Sequence, residues 1–413
     1  MLKRISVQQL RLGMYIEEFC GAWVEHPFWR SGFVLQKPQE LDNILSTSVR
    51  EVWIDVAKGV DVPAGTVSLS KAEVEEQVDS ELGQLADLDQ RRNEPVALAR
   101  EIHKAAKICA LSKKAVSSMF QEARMGRAID TVGVKTLVAE ISDSVTRNAA
   151  AMISLARLKT ADDYTYMHSV AVCALMVVLA RQLGLNNAEV HSAGVAGLLH
   201  DLGKVQMPMA VLNKPGKLTD AEYQTIQDHP LRGYEMLCNA PGVDPVALDV
   251  CLHHHEKVDG SGYPKGLRDQ EISLYAKMGA VCDVYDAITS NRPYKAGWDP
   301  AESLRKMAEW APGHFDQKVF HAFVKSVGIF PTGSLVRLAS GLLAIVIEQS
   351  TKSLMTPRVR AFYSTVTENR IMPKLIDLSA PNCRDKIVRR EDPAEWRFPD
   401  LNEMWMGSVF GNL

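Results

Sequence analysis

Apolar and polar positions alternate in two short stretches near the start of the chain, KRISVQQLRLGMYI and REVWIDV, the second carrying Val52, Ile54 and Val56 on every other residue. A period of two places such side chains on one face of a β-strand, and the Gly, Pro and aromatic residues between the stretches read as turns. Residues 1–60 are therefore expected to form a small strand-containing module. From Asp61 to Pro95 large apolar residues thin out and nine acidic residues stand against three basic ones. That composition predicts a solvated, mobile acidic linker over 61–96.

The period then lengthens. Leu98, Ile102, Ala105, Cys109, Val116 and Met119 follow 4-3 spacing broken only at Ser112, and after Gly126 so do Val134, Val138, Ile141, Val145, Met152 and Leu155, broken at Asn148. Spacing near 3.5 lines one helix face with apolar groups, so 97–160 reads as a long helical hairpin. Two roles satisfy that stripe: a cover for the domain that follows, or a seam between two copies of the chain.

Residues 161–330 keep helical periodicity with clear punctuation. Thr219-Asp220-Ala221-Glu222 has the form of a capping box, so a helix should start there and run to Pro230. Pro245 suits the first turn of a helix carrying Val246, Val250 and three histidines. Residues 331–413 change character again, with LVRL, LLAIVIEQ and RVRAFYSTV separated by Gly, Ser and Pro, and read as a small β-rich appendage. The expected fold class is mainly α, a helical core with strand-containing modules at both ends. No internal repeat stands out.

Composition excludes more than it assigns. Lys+Arg is 47 against Asp+Glu 50, a net charge of −3, which offers no global attraction to a nucleic-acid polymer or a membrane surface. The start, MLKRISVQQL, is too polar for a signal peptide, and the longest apolar run, Val170 to Ala180, is about half a membrane span. Seven cysteines are scattered without a CxxC motif, which argues against a disulfide framework or thiolate zinc site and fits a reducing compartment. The cytoplasm is the expected location.

Histidine is distributed unevenly. Of eleven, seven (His168, His191, His200, His229, His253, His254 and His255) fall between 168 and 255. His200-Asp201 ends an amphipathic run, and imidazole with carboxylate suits divalent transition metals. His168, His229, His254, His255 and Asp283 lie on neighbouring helical stretches. Adjacent histidines on a helix point about 100° apart. His254 and His255 are thus expected to flank two metals with Asp201 between them, an arrangement in which a bridging water becomes a hydroxide nucleophile near neutral pH.

These residues also carry a family resemblance. His168-Ser169, His200-Asp201-Leu202-Gly203-Lys204, His229-Pro230, HHEKVDGSGYP from His254 and DVYDAITSNRPYK from Asp283 resemble, in order, the motifs of the HD-GYP family, a branch of the HD phosphohydrolase superfamily. The resemblance spans roughly 130–330 and implies an all-helical HD-type metallohydrolase core that hydrolyses the bacterial second messenger cyclic di-GMP to pGpG, GMP or both. It implies His168, His200, Asp201, His229, His254, His255 and Asp283 as metal ligands. It matches Lys204 to an invariant lysine whose ammonium could stabilise phosphorane charge or protonate the leaving oxygen. It matches Gly262, Tyr263 and Pro264 to the signature loop, a candidate docking site for signalling proteins, and Arg292 and Lys295 to contacts with substrate phosphate and guanine. LRLGMYIEE and the segments after it look like an uncharacterised module often found ahead of such domains.

One departure bears on the metals. Some relatives carry a glutamate one turn before the first histidine, helping to hold a third ion; here that position is Tyr164, so a dinuclear site is expected, with iron or manganese suited to the mixed ligand set. His191 and His253 are expected not to ligate, Cys173, Cys251 and Cys282 to be small core residues, and Asp286 either to support a ligand or to face solvent. Two rivals remain: an HD hydrolase of another nucleotide, and a catalytically silent cyclic di-GMP receptor.

Overall fold

The computed structural model describes residues 2–20, 32–45, 49–63, 68–71, 73–74, 76, 80, 98–127, 129–157, 164–212, 214, 218–290, 297–350 and 353–406. Its N-terminal part is an antiparallel sheet in the order β3-β2-β4-β1-β5, built from β1 (Leu2–Ser6), β2 (Tyr15–Cys20), β3 (Phe33–Val34), β4 (Glu51–Asp55) and β5 (Leu69–Ser70), with helix α1 (Pro38–Leu45) before β4. Strand alternation separates two faces. Ile5, Ile16, Phe19, Val52 and Ile54 close a core of their own with Leu35 and Ile44. On the other face Trp53, paired with Arg4 across the ladder, joins the core of the helical body. The acidic stretch is not wholly linker: β5 pairs with β1, and Val74 is buried in the helical core. Residues 81–97 lie outside the described residues.

Helices α2 (Leu98–Arg124) and α3 (Thr131–Arg157) form the expected hairpin, and the interruption of spacing at Asn148 coincides with a kink there. Glu101, buried on α2, takes a two-pronged ion pair from Arg147 (2.8 Å on each oxygen) and a hydrogen bond from Ser144, which fixes the hairpin's register. The apolar stripes of both helices are buried inside this one chain, in the core they share with α4 (Tyr164–Gln182) and α5 (Asn187–Leu199). Covering is the role they play; a second copy would have to use another face.

The reason lies in α4. Val170 to Ala180 is buried on every side, so this helix needs neighbours all round. Among the described residues it is the one helix long and apolar enough to cross a membrane, and most of it lies inside the protein. Two glycines let α5 come close: a Cβ at Gly194 would stand 2.6 Å from Val138 Cγ1, and one at Gly197 would stand 2.9 Å from Met176 Cγ. That approach carries His200, at the end of α5, up to His168 on α4.

A 3-10 turn (202–206) follows, then α6 (Met209–Leu212), α7 (Asp220–Gln227), α8 (His229–Cys238), α9 (Pro245–His253), α10 (Leu274–Thr289), α11 (Pro300–His314) and α12 (Gln317–Val327). Thr219 caps α7 reciprocally with Glu222, as the pattern predicts. Pro245 opens α9, which ends at His253; His254 caps it in helical conformation, its N–H still donating to the Val250 carbonyl (3.0 Å). A second antiparallel sheet, β10-β6-β7-β8-β9, closes the chain: β6 (Leu335–Leu338), β7 (Leu342–Glu348), β8 (Arg358–Ser364), β9 (Asn369–Asp377) and β10 (Ile387–Arg390). Leu335, Leu343, Ile345 and Phe362 face the helices, while Val336, Ala344, Val346 and Val359 build a separate core.

Candidate metal centre

Four elements supply the imidazoles. His168 sits one turn into α4, His200 caps α5, His229 opens α8, and His254 and His255 follow α9. The HDLGK turn is pressed against α8 backbone to backbone: a Cβ on Gly203 would stand 1.9 Å from the His229 carbonyl oxygen. Only glycine permits this contact, which brings His229 to Asp201.

The tautomers follow from the partners. His200 Nδ1 contacts the Gly197 carbonyl (2.8 Å), His229 Nδ1 that of Ile226 (2.7 Å) and His254 Nδ1 that of Val250 (3.0 Å). A carbonyl only accepts, so each Nδ1 carries a proton and Nε2 is the nitrogen each ring turns toward the cluster. These atoms converge on two aspartates. Asp201 Oδ2 lies 3.3 Å from His168 Nε2 and 3.4 Å from His200 Nε2, while Oδ1 lies 3.2 Å from His229 Nε2 and 3.8 Å from His254 Nε2. Asp283 is divided the same way, Oδ1 being 2.9 Å from His168 Nε2 and Oδ2 3.9 Å from His255 Nδ1.

The cluster fits divalent cations on three counts. Asp201 Oδ1 is buried and takes no well-formed hydrogen bond. His229 Nε2 and His254 Nε2 face one another at 3.4 Å while both Nδ1 atoms are turned to backbone carbonyls, a pairing of donor nitrogens that a cation would bridge. Three overlapping groups, His168/His200/Asp283, His200/Asp201/His254 and His229/His254/His255, each have ligand atoms within 4.8 Å of one another. The cluster offers mixed nitrogen and oxygen donors that could hold divalent ions.

Charge is arranged to match. Burial opposes ionisation of His168, but hydrogen bonds to Asp201, Asp283 and Asp286 outweigh it and push the ring up to about 10. Burial, with His200 and His229 nearby, lowers His254 to about 3, and burial together with His254 holds His255 well below the usual histidine range. Burial would raise Asp201, yet Lys204 and His200 hold it well below the ordinary carboxylate range; Asp283 is held low against burial mainly by His168 and His200.

The structure thus brings together all seven expected ligands and Lys204, whose Nζ donates to Asp201 Oδ2. The rings of His254 and His255 lie 4.1 Å apart; both group with His229, and His254 also groups with His200 and Asp201. Asp286 resolves as a support, its Oδ2 accepting from His168 Nδ1 at 2.6 Å. His191 contacts the Lys135 carbonyl and His253 contacts Asp249, away from the cluster, and Cys173, Cys251 and Cys282 are buried in the core.

His255 has the most exposed side chain of the seven expected ligands, at 16%. The Tyr263 ring is stacked on His255 (4.7 Å between centroids), and Gly262 has no room for a Cβ, which would stand 2.4 Å from Lys257 N. Glu256, to which sequence reasoning attached no role, is buried and ties down the far side of the loop by accepting from Lys265 N (2.7 Å) and Leu267 N (2.9 Å). A carboxylate two residues past paired histidines is the signal that could have found it. Pro264 follows in the same loop. Arg292, Lys295 and the side chain of Tyr164 lie outside the described residues.

A model described as HD domain matches residues 138–319, and one described as a domain of unknown function (DUF3391) matches 2–134. The Cyclic di-GMP phosphodiesterase PA4108 of Pseudomonas aeruginosa is 53% identical over 408 residues, covering 98% of this chain and 96% of its own. The Cyclic di-GMP phosphodiesterase response regulator RpfG of Xanthomonas campestris is 41% identical over 36% of this chain and 39% of its own. The 3'3'-cGAMP-specific phosphodiesterase 1 of Vibrio cholerae is 37% identical over 40% of this chain and 38% of its own. The chain belongs to the HD-GYP family.

Proposed function

We propose that the chain is a metal-dependent phosphodiesterase that hydrolyses cyclic di-GMP to pGpG, GMP or both. The observation that carries the chemistry is Asp201, whose two oxygens face two different sets of imidazole nitrogens. The substrate is supported by the full-length relative, 53% identical, that bears this activity in its name.

His168, His200, Asp201 and Asp283 would hold one divalent ion, and Asp201, His229, His254 and His255 a second, with iron or manganese matching the donor set. Such ions supply Lewis-acid polarisation of a phosphate and an activated water near neutral pH. Lys204, half-buried beside Asp201, places an ammonium where charge develops on the phosphate in flight. Tyr263 offers a ring at the mouth on which a guanine can stack, and Arg292 and Lys295 are assigned to the substrate's phosphates and guanine by resemblance. The exposed signature loop also suits a signalling-protein partner, and the seven free cysteines suit the reducing cytoplasm.

Protein purified anaerobically, with its metal counted on the same sample, should turn over cyclic di-GMP faster than 3'3'-cGAMP and carry two ions per chain. His200→Ala and Asp201→Ala should each abolish turnover. Persistent rates in either variant would place the reaction elsewhere; three ions per chain would refute the dinuclear assignment; tight binding without turnover in metal-replete protein would make the chain a receptor.

A further inference from the structure

The face of the N-terminal sheet that carries Trp53 also brings charged side chains to the helical body. Arg4 on β1 donates from Nη2 to the Glu309 carbonyl (2.7 Å), and Lys306 donates to Glu18 of β2 (2.8 Å). Glu309 and Lys306 both belong to α11, so the module grips that helix near its C-terminal end. Just beyond the grip α11 breaks at Pro312-Gly313, where Gly313 adopts φ +96°.

The break points two carbonyls at the substrate loop. Gly313 O accepts from Asp259 N (3.1 Å) and His314 O from Val258 N (3.3 Å). Asp259 then shapes the turn ahead of Tyr263: its Oδ1 accepts from Ser261 N (2.8 Å) and Ser261 Oγ (2.6 Å). Its other oxygen, Oδ2, receives Arg50 Nε of the N-terminal module at 3.2 Å. Four residues after Asp259, Tyr263 N donates to the His255 carbonyl (3.2 Å) and its ring lies on the His255 imidazole.

We infer that the N-terminal module is part of the substrate mouth, with Arg4 and Arg50 acting as positioning residues for the loop that carries Tyr263. Arg50 holds the loop directly through Asp259, and Arg4 holds the end of α11 on which the loop is hung. The module's contribution to turnover is therefore geometric: it sets where Tyr263 stands over His255. This inference rests on the phosphodiesterase reading only for its kinetic consequence, since the contacts exist without substrate.

Arg50 is the cleaner site to test, its side chain being 64% exposed, so that substitution opens no core. Arg50→Glu sets like charges against each other at Asp259, Arg50→Ala removes the contact, and Arg50→Lys keeps the charge. Hydrogen exchange at the amides of Val258, Asp259, Ser261 and Tyr263 should accelerate in Arg50→Glu, less so in Arg50→Ala, and return toward wild type in Arg50→Lys. In the same order KM for cyclic di-GMP should rise by about two- to five-fold, the range of an exposed ion pair, with kcat and bound metal unchanged. Wild-type exchange at those amides in Arg50→Glu would overturn the inference, as would faster exchange with an unchanged KM. Should wild-type protein turn over no cyclic dinucleotide, the phosphodiesterase reading falls and the exchange measurement alone decides this one.

Discussion

Asp286 offers a direct test of the centre, because it holds the Nδ1 of one expected ligand, His168, whose Nε2 is the atom turned to Asp201 and Asp283. It is buried, accepts from His168 Nδ1 at 2.6 Å, and receives Ser290 Oγ on its other oxygen at 3.3 Å. A carboxylate behind a ligating imidazole fixes the ring's tautomer and makes its free nitrogen a better donor, and losing such a partner costs about 10- to 100-fold in metal affinity, or about 1.4–2.7 kcal/mol. Asp286→Asn keeps the shape: its amide oxygen can accept from His168 Nδ1 and its NH2 can donate to Ser290 Oγ, so only the charge is lost. Asp286→Ala leaves a buried N–H without its acceptor, an added cost of about 1–3 kcal/mol to the fold. The expected order is thus a roughly tenfold weaker site in Asp286→Asn and a roughly hundredfold weaker one in Asp286→Ala, read by competition against a chelating dye with Mn2+. At saturating metal Asp286→Asn should recover most of its turnover. If Asp286→Ala binds metal within threefold of wild type, His168 does not ligate through Nε2 in the way its surroundings imply.

Two further predictions follow from the same geometry. Gly203→Ala forces a Cβ onto the His229 carbonyl oxygen, 1.9 Å away on the present backbone, so the turn must separate from α8. The expected cost is at least the roughly 1–3 kcal/mol of overpacking, seen as a lower denaturation midpoint together with reduced metal content; a variant with wild-type stability and a full complement of metal would show the contact to be slack. Loading metal-free protein with Mn2+ at pH 8 should release protons, because His168, pushed up to about 10 by three carboxylates, is charged below that pH and must give up its Nε2 proton to ligate. The release should shrink as the loading pH is raised above 10, and an indicator dye that records none at pH 8 would refute the assignment.

Much of the architecture could be read from periodicity. The 4-3 spacing marked both helices of the hairpin, since a helix face is a local pattern; of its two breaks, the one at Asn148 falls on a kink and the one at Ser112 does not. Strand β5 was not legible, because two residues carry no period, and Val74 is buried only through partners far away in sequence. Whether the hairpin's stripe was cover or seam was equally undecidable from the stripe itself. The answer came from α4, whose all-round burial demands helices on every side.

The sequence by itself determined the inventory of the site: which residue types carry it, the motif order in which they appear, and the glycines that permit close approach. Tertiary structure decided how that inventory is divided. It assigned one oxygen of Asp201 to His168 and His200 and the other to His229 and His254, placed His254 and His255 together, and set Asp286 behind His168 from 118 residues away. The physical reason is range. Periodicity and capping are written by neighbours within a turn or two, whereas a coordination set is made where separate helices meet, and the direction a side chain faces there depends on how those helices pack.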